Sequence, residues 1–153
     1  MQAYRRIGTV LALVVILLVG VVSAASAAPS RAVAERIAFE VSLTTFAAEV
    51  PSSGFNWSSD GCTTPAIQDL QRWNDLFRPA CDRHDFSYGV FGAGGDVEVS
   101  TETQRRRIDD QFLRDMSGIC IATYTWARRA ECLLVARAYY TVVRQVGSAA
   151  YYF

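Results

Sequence analysis

Apolar and polar positions along this chain repeat at the period of a helix and nowhere show the clean alternation of a strand. Val33, Ile37, Val41 and Thr44 fall at helical spacing within an alanine-rich stretch. They predict an opening helix from about Arg31 to Ala48, stopped by Pro51-Ser52-Ser53-Gly54. From Phe55 to Ala80 the pattern is irregular, a loop that a short helix around Ile67 to Leu76 interrupts. Pro79 sets up a second main helix over Ala80 to Tyr88, ended by Gly89 and the glycine-rich run after Phe91. Thr101 and Gln104 have capping-box spacing and open a third helix, whose apolar positions Ile108, Phe112, Met116 and Ile119 carry it to about Cys120. A fourth runs from Thr125 to Val146, with Trp126, Ala130, Leu133, Leu134, Ala138 and Thr141 expected to face inward and Gly147 ending it. The expected fold is a small all-α domain.

The N-terminus alters this picture. Arg5 and Arg6 precede an apolar run from Ile7 to Val22, and Ser23 to Ala28 are all small, the order of a secretory signal peptide with cleavage expected after residue 27. Export to an oxidising compartment suits four cysteines used as two cystines. Of the three possible pairings, Cys62 with Cys81 and Cys120 with Cys132 close the shortest loops. The 153-residue chain is formally neutral, with fifteen arginines, no lysine and fifteen acids. Loss of the leader removes two arginines and leaves a slightly acidic protein, which disfavours a nucleic-acid partner.

The chemistry concentrates in Cys81-Asp82-Arg83-His84-Asp85-Phe86-Ser87-Tyr88, which holds the only histidine. On a helix Cys81, His84, Asp85 and Tyr88 share one face. A Cys62–Cys81 disulfide would pin the Asp60-Gly61 loop against it. The carboxylates of Asp60 and Asp85 and the Gly61 carbonyl would then reach one hard cation, calcium or magnesium rather than zinc. On the third helix Asp109 stands at the border of the apolar face, where a carboxylate needs a partner. His84 is the natural one: a hydrogen bond to Asp109 would fix its tautomer and leave the other nitrogen free to take a proton from water. The neighbouring Arg105-Arg106-Arg107 reads as a solvated face.

Three segments carry a resemblance. They are Asn56-Trp57-Ser58-Ser59-Asp60-Gly61-Cys62, Ala80 to Tyr88, and Ile108-Asp109-x-x-Phe112-x-x-Asp115-Met116-x-x-x-Cys120. In order and cysteine placement they resemble the secreted phospholipases A2 of actinobacteria and fungi, from about Phe55 to Val146. The resemblance implies a small disulfide-linked helical domain with two antiparallel catalytic helices and a calcium-binding loop. It implies His84 as general base, Asp109 as its orienting partner, calcium on Asp60, Gly61 and Asp85, and the disulfides Cys62–Cys81 and Cys120–Cys132. The chain departs from the pattern at Gly61, at Ser87, and in a longer glycine-rich segment from Gly89 to Ser100. The division expected is a signal peptide over 1–27, an N-terminal helical segment over 28–54, and a phospholipase A2-like catalytic domain over 55–153.

The implied activity is calcium-dependent hydrolysis of the sn-2 ester of glycerophospholipids by a secreted monomer acting at a membrane or micelle surface. His84 would deprotonate water, while calcium and a backbone N–H near the metal loop would stabilise the oxyanion. No Gly-x-Ser-x-Gly elbow offers a serine nucleophile. Phe55, Phe77, Phe86, Tyr88 and Phe91 are candidates for an acyl groove, and Trp73, Leu76 and Phe77 beside Arg72 and Arg78 for an interfacial patch. Two other classes compete: a non-catalytic secreted calcium- and lipid-binding module, and a zinc protein using Cys62, Cys81 and His84. Free thiols would favour zinc, and their absence disulfides.

Overall fold

A computed structural model of the protein describes residues 29–62 and 71–153. The expected signal peptide and the first residues of the short helix expected over Ile67 to Leu76 lie outside the described residues. The described chain is all helical: α1 (Arg31–Phe39), α2 (Leu43–Glu49), a 3₁₀ turn (Val50–Ser52), α3 (Gln71–Phe91), α4 (Glu102–Thr123), α5 (Trp126–Val146) and α6 (Ser148–Tyr152). Among the described residues no helix is long and apolar enough to cross a membrane.

The expected single opening helix is two. Ser42 takes an extended conformation and its side chain accepts from the Thr45 N–H at 3.0 Å, a second N-cap inside the predicted span. The break folds α2 back so that Phe46 joins Ile37 in one core. Conversely, the described part of the predicted short helix and the second helix are one, because α3 continues from Gln71 through Pro79 to Phe91. An interior proline forfeits a backbone hydrogen bond and costs about 3 kcal/mol. Trp73 and Phe77 before it and Phe86 and Phe91 after it are all buried, and that burial outweighs the loss. Trp73 and Phe77 are therefore core residues rather than an interfacial patch.

Helix α4 starts as predicted, with Thr101 Oγ1 accepting from the Gln104 N–H at 3.2 Å. Its C-terminal carbonyls at Ile121 and Tyr124 accept from the Arg129 guanidinium, which closes the sharp turn into α5. Trp126 begins α5 at φ 48° and is 90 % exposed. The predicted inward face of α5 is largely wrong: Leu133 packs partly buried on the core, but Ala130, Leu134, Ala138 and Thr141 also point to solvent, and Cys132, Ala136 and Tyr139 are buried instead. Two tracks of small and apolar residues run along this helix. The Cys120–Cys132 disulfide decides between them by tying one to α4.

Two apolar clusters result. One joins α1, α2 and the second half of α3 through Phe46, Phe55, Phe86 and Phe91, and includes Tyr151 of α6. The other joins the first half of α3 to α4 and α5 around both cystines, Phe77, Phe112 and Met116. Helices α3 and α4 are antiparallel, since Arg83 pairs with Asp115 while Tyr88, later on α3, bonds Asp109, earlier on α4. The Arg83–Asp115 ion pair is buried and the guanidinium also bonds the Val41 carbonyl, tying the segment between α1 and α2 to α3 and α4.

Phe86 is fully buried and meets Phe46, Phe55 and Trp57 edge to face at ring distances of 5.6, 5.6 and 5.7 Å. Phe86→Ala should destabilise the oxidised protein by about 3 to 5 kcal/mol. Urea unfolding followed by tryptophan fluorescence would measure it, and a loss below about 1 kcal/mol would mean that this cluster does not anchor the N-terminal helices.

Candidate active site

The second half of α3 carries His84, Asp85 and Tyr88 on the face turned toward α4 and α5. The Cys62–Cys81 disulfide holds the preceding loop against the same face. A cleft of about 230 Å³ opens there, with Asp60, Gly61, His84, Asp85 and Tyr88 on its polar side. The site residues of α3 and of the Asp60 loop thus line one space, and Asp109 stands behind His84.

His84 Nε2 lies 2.9 Å from Asp109 Oδ1, leaving Nδ1 on the side of Asp85, 3.9 Å from its Oδ1. The ring is 91 % removed from solvent and sits between Tyr88 and Phe112 at centroid distances of 4.2 and 4.7 Å. Burial works against a charge on this ring, yet the Asp109 and Asp85 carboxylates outweigh it and raise the imidazole above its ordinary value.

Asp109 has no solvent exposure. Its Oδ1 also accepts from Tyr88 Oη at 2.7 Å, and its Oδ2 accepts from Arg144 Nη1 at 2.6 Å and Arg105 Nη1 at 3.4 Å. Burial alone would push this carboxyl up, but donors from His84 and Arg144 hold it below the usual range. Burial and the adjacent Asp109 charge push the Tyr88 phenol up, so it remains a donor at any working pH. Arg105 is 5 % exposed, a correction to the solvated reading of the arginine run: Arg106 and Arg107 are exposed and Arg105 is not. Arg144, on the last turns of α5, had no sequence signal, since it meets Asp109 across 35 residues of chain.

In the Asp60 loop, Ser59 Oγ lies 2.7 Å from Asp85 Oδ2 and 2.6 Å from Asp82 Oδ1, and accepts from the Gly61 N–H at 3.0 Å. Asp82 in turn accepts from Arg78 Nε at 2.7 Å. Gly61 has φ 76°, a left-handed backbone conformation that favours glycine. Ser59 lies inside the Asn56 to Cys62 segment, and no local spacing in the sequence marks its part in this network.

Asp60, Gly61 and Asp85 all line the cleft and can offer only oxygen to a ligand there, a set that suits a hard cation such as calcium rather than zinc. Among the described residues no three His, Cys, Asp or Glu side chains are grouped closely enough to hold a metal. Backbone oxygens and water must complete the shell of any cation bound here. Both cystines are formed and no described cysteine is free, which removes the thiolate ligands that a zinc site needs.

The cleft's apolar wall was not foreseen. Phe112, Tyr139, Val142, Val143, Val146 and Ala150 line it, mostly from the end of α5. Of the five proposed groove aromatics only Tyr88 reaches it, and Phe55, Phe77, Phe86 and Phe91 are core. A buried histidine–carboxylate pair beside oxygen donors and an apolar wall suits hydrolysis of an ester that carries a hydrocarbon chain.

A family model described as prokaryotic phospholipase A2 matches residues 34–147. The chain belongs to this family. It is 34 % identical over 146 residues to a secretory phospholipase A2 of Arthroderma benhamiae, covering 87 % of this chain and 94 % of that one. With a secretory phospholipase A2 of Beauveria bassiana the identity is 36 % over 123 residues, or 78 % of this chain and 60 % of the relative. Conodipine-P2 of Conus purpurascens is 38 % identical over 65 residues, 40 % of this chain and 29 % of that protein. Phospholipase A2 membership makes the protein a hydrolase of phospholipid esters.

Glu102 joins this phospholipase's Asp109 cluster from outside, pairing with both Arg105 and Arg144, which hold its carboxyl down to about 2 from an ordinary 4.5. A carboxyl depressed in the folded state stabilises above its unfolded pKa and loses that stabilisation as pH falls through the folded value. Glu102→Gln should therefore lower Tm at neutral pH, with the gap to the parent closing between about pH 4.5 and about 2. A gap unchanged across that range would mean that the carboxyl is not held by the arginines.

Proposed function

We propose that the protein is a secreted, calcium-dependent phospholipase A2 that cleaves the sn-2 ester of glycerophospholipids with a water activated by His84. The observation that carries this reading is the bond of His84 Nε2 to the buried Asp109, which turns Nδ1 to the cleft and the Asp85 side. In the neutral ring Nε2 carries the hydrogen given to Asp109, so Nδ1 is the acceptor. A water beside Nδ1 gives up its proton as its oxygen bonds the ester carbonyl carbon. His84 then passes that proton to the departing glycerol oxygen as the ester C–O bond breaks, which leaves a fatty acid and a lysophospholipid. Asp109 keeps the tautomer throughout and offsets the charge that His84 carries between the two transfers.

Asp60, Asp85 and the Gly61 carbonyl would hold calcium. When bound it supplies positive charge to polarise the ester carbonyl and stabilise the oxyanion. Two carboxylates make a weak site, suited to the roughly 10⁻⁴ to 10⁻³ M range of extracellular calcium modules. The apolar wall at Val142, Val146 and Ala150 would receive an acyl chain. The leader pattern over residues 1–27 and the names of the two fungal relatives, both secretory, support export.

Fatty-acid release from phosphatidylcholine vesicles tests the whole reading. Release should need added calcium and stop with chelator. His84→Ala should lower the rate by about 10²- to 10⁴-fold while the fold, followed by circular dichroism, stays intact. Asp85→Asn should raise the calcium concentration needed for half-maximal rate. Turnover that survives chelator would remove calcium from the mechanism, and a fully active His84→Ala would remove the base. Calcium and vesicle binding without release would instead favour a non-catalytic lipid-binding module.

A further inference from the structure

The rear of Asp109 is built from charge. Oδ1 faces His84 and Tyr88, and Oδ2 faces two guanidiniums, so four donors surround a carboxylate that water does not reach. The two arginines are not simple partners of Asp109. Each also pairs with Glu102: Arg105 through Nε at 2.8 Å, and Arg144 through Nη2. Glu102, Arg105, Asp109 and Arg144 thus form a closed ring of alternating sign that sums to zero.

Within the ring the two arginines differ. Arg105 lies on α4 with Asp109, four residues away, at 3.4 Å, and is shared with the Val143 carbonyl. Arg144 comes from α5 and makes the shorter contact, 2.6 Å. It stands on the turn of α5 that also supplies Val142, Val143 and Val146 to the cleft. A guanidinium presents two donors in a fixed plane, so one prong on Glu102 and one on Asp109 set the rotation of the Asp109 carboxyl.

We propose that Arg144 is a positioning residue for ester hydrolysis: by holding Asp109 Oδ2 it fixes the carboxylate rotation that presents Oδ1 to His84 Nε2. The inference rests on the His84–Asp109 reading given above. A positively charged residue at the end of α5 thereby connects the apolar wall of the cleft to the back of the dyad. Lysine cannot replace it fully, because a single ammonium lacks the planar fork that spans the two carboxylates.

The test uses the full mature protein, saturating calcium, and a short-chain phosphatidylcholine below its micelle-forming concentration, so that kcat and KM report on the chemistry. Arg144→Gln should lower kcat by about tenfold to a hundredfold with KM unchanged, since the residue acts through Asp109 and does not touch substrate. Arg144→Lys should fall between the two, and it decides the matter if the glutamine variant does not fold. In an Asp109→Asn background the Arg144→Gln change should cost less than about twofold, whereas independent sites would lose the full factor again. Full activity in both Arg144 variants, a rise in KM at constant kcat, or additive losses with Asp109→Asn would each overturn the proposal. Asp109→Asn measured alone separates the two readings. If it is fully active the dyad itself fails, and if it is impaired while the Arg144 variants are not, only the role of Arg144 fails.

Discussion

Asp109 is a negative charge without contact with water, and much of the molecule is arranged to keep it there. A carboxylate taken out of solvent is expensive unless its lone pairs are filled by donors, preferably charged ones. Those donors come from three helices: His84 and Tyr88 from α3, Arg105 from α4 beside it, and Arg144 from α5. The same requirement therefore fixes how α3, α4 and α5 meet and which side chains stand at the mouth of the cleft. The two cystines act at a distance from this point. Cys62–Cys81 brings the Asp60 loop to the front of His84, and Cys120–Cys132 sets the rotation of α5 that lets Arg144 reach the back.

Local signals are legible in the sequence, and contacts made by tertiary packing are not. Thr101 with Gln104 announced α4, and the spacing of Cys81, His84, Asp85 and Tyr88 announced one reactive face, because both depend only on residues three or four apart. Asp109 was legible as a carboxylate on an apolar border in need of a partner. Arg105 was hidden by its company, since three consecutive arginines look solvated and on a helix only one of them turns inward. Arg144 and the valines of the cleft wall had no local signature. They depend on which face of α5 is buried, and the sequence offers two such faces, with the choice made by a disulfide.

The errors at α1, α2 and Pro79 have one cause. Helical periodicity continues across Ser42, and a proline interrupts it at 79, but a chain reversal and an uninterrupted helix bury more apolar surface than the local preferences give up. Phe46 packs on Phe86 because α2 is a separate helix, and Trp73 and Phe77 share a core with α4 because α3 continues through Pro79.

Tyr151 extends this support to the C-terminal helix. It is fully buried, its hydroxyl donates to the Val99 carbonyl at 2.7 Å, its carbonyl accepts from Ala93, and its ring lies 5.0 Å from that of Tyr88, which donates to Asp109. The support behind His84 and Asp109 is therefore complete only when α6 is docked. Loosening of α6 would be felt at His84 through a relay of three side chains, Tyr151, Tyr88 and Asp109.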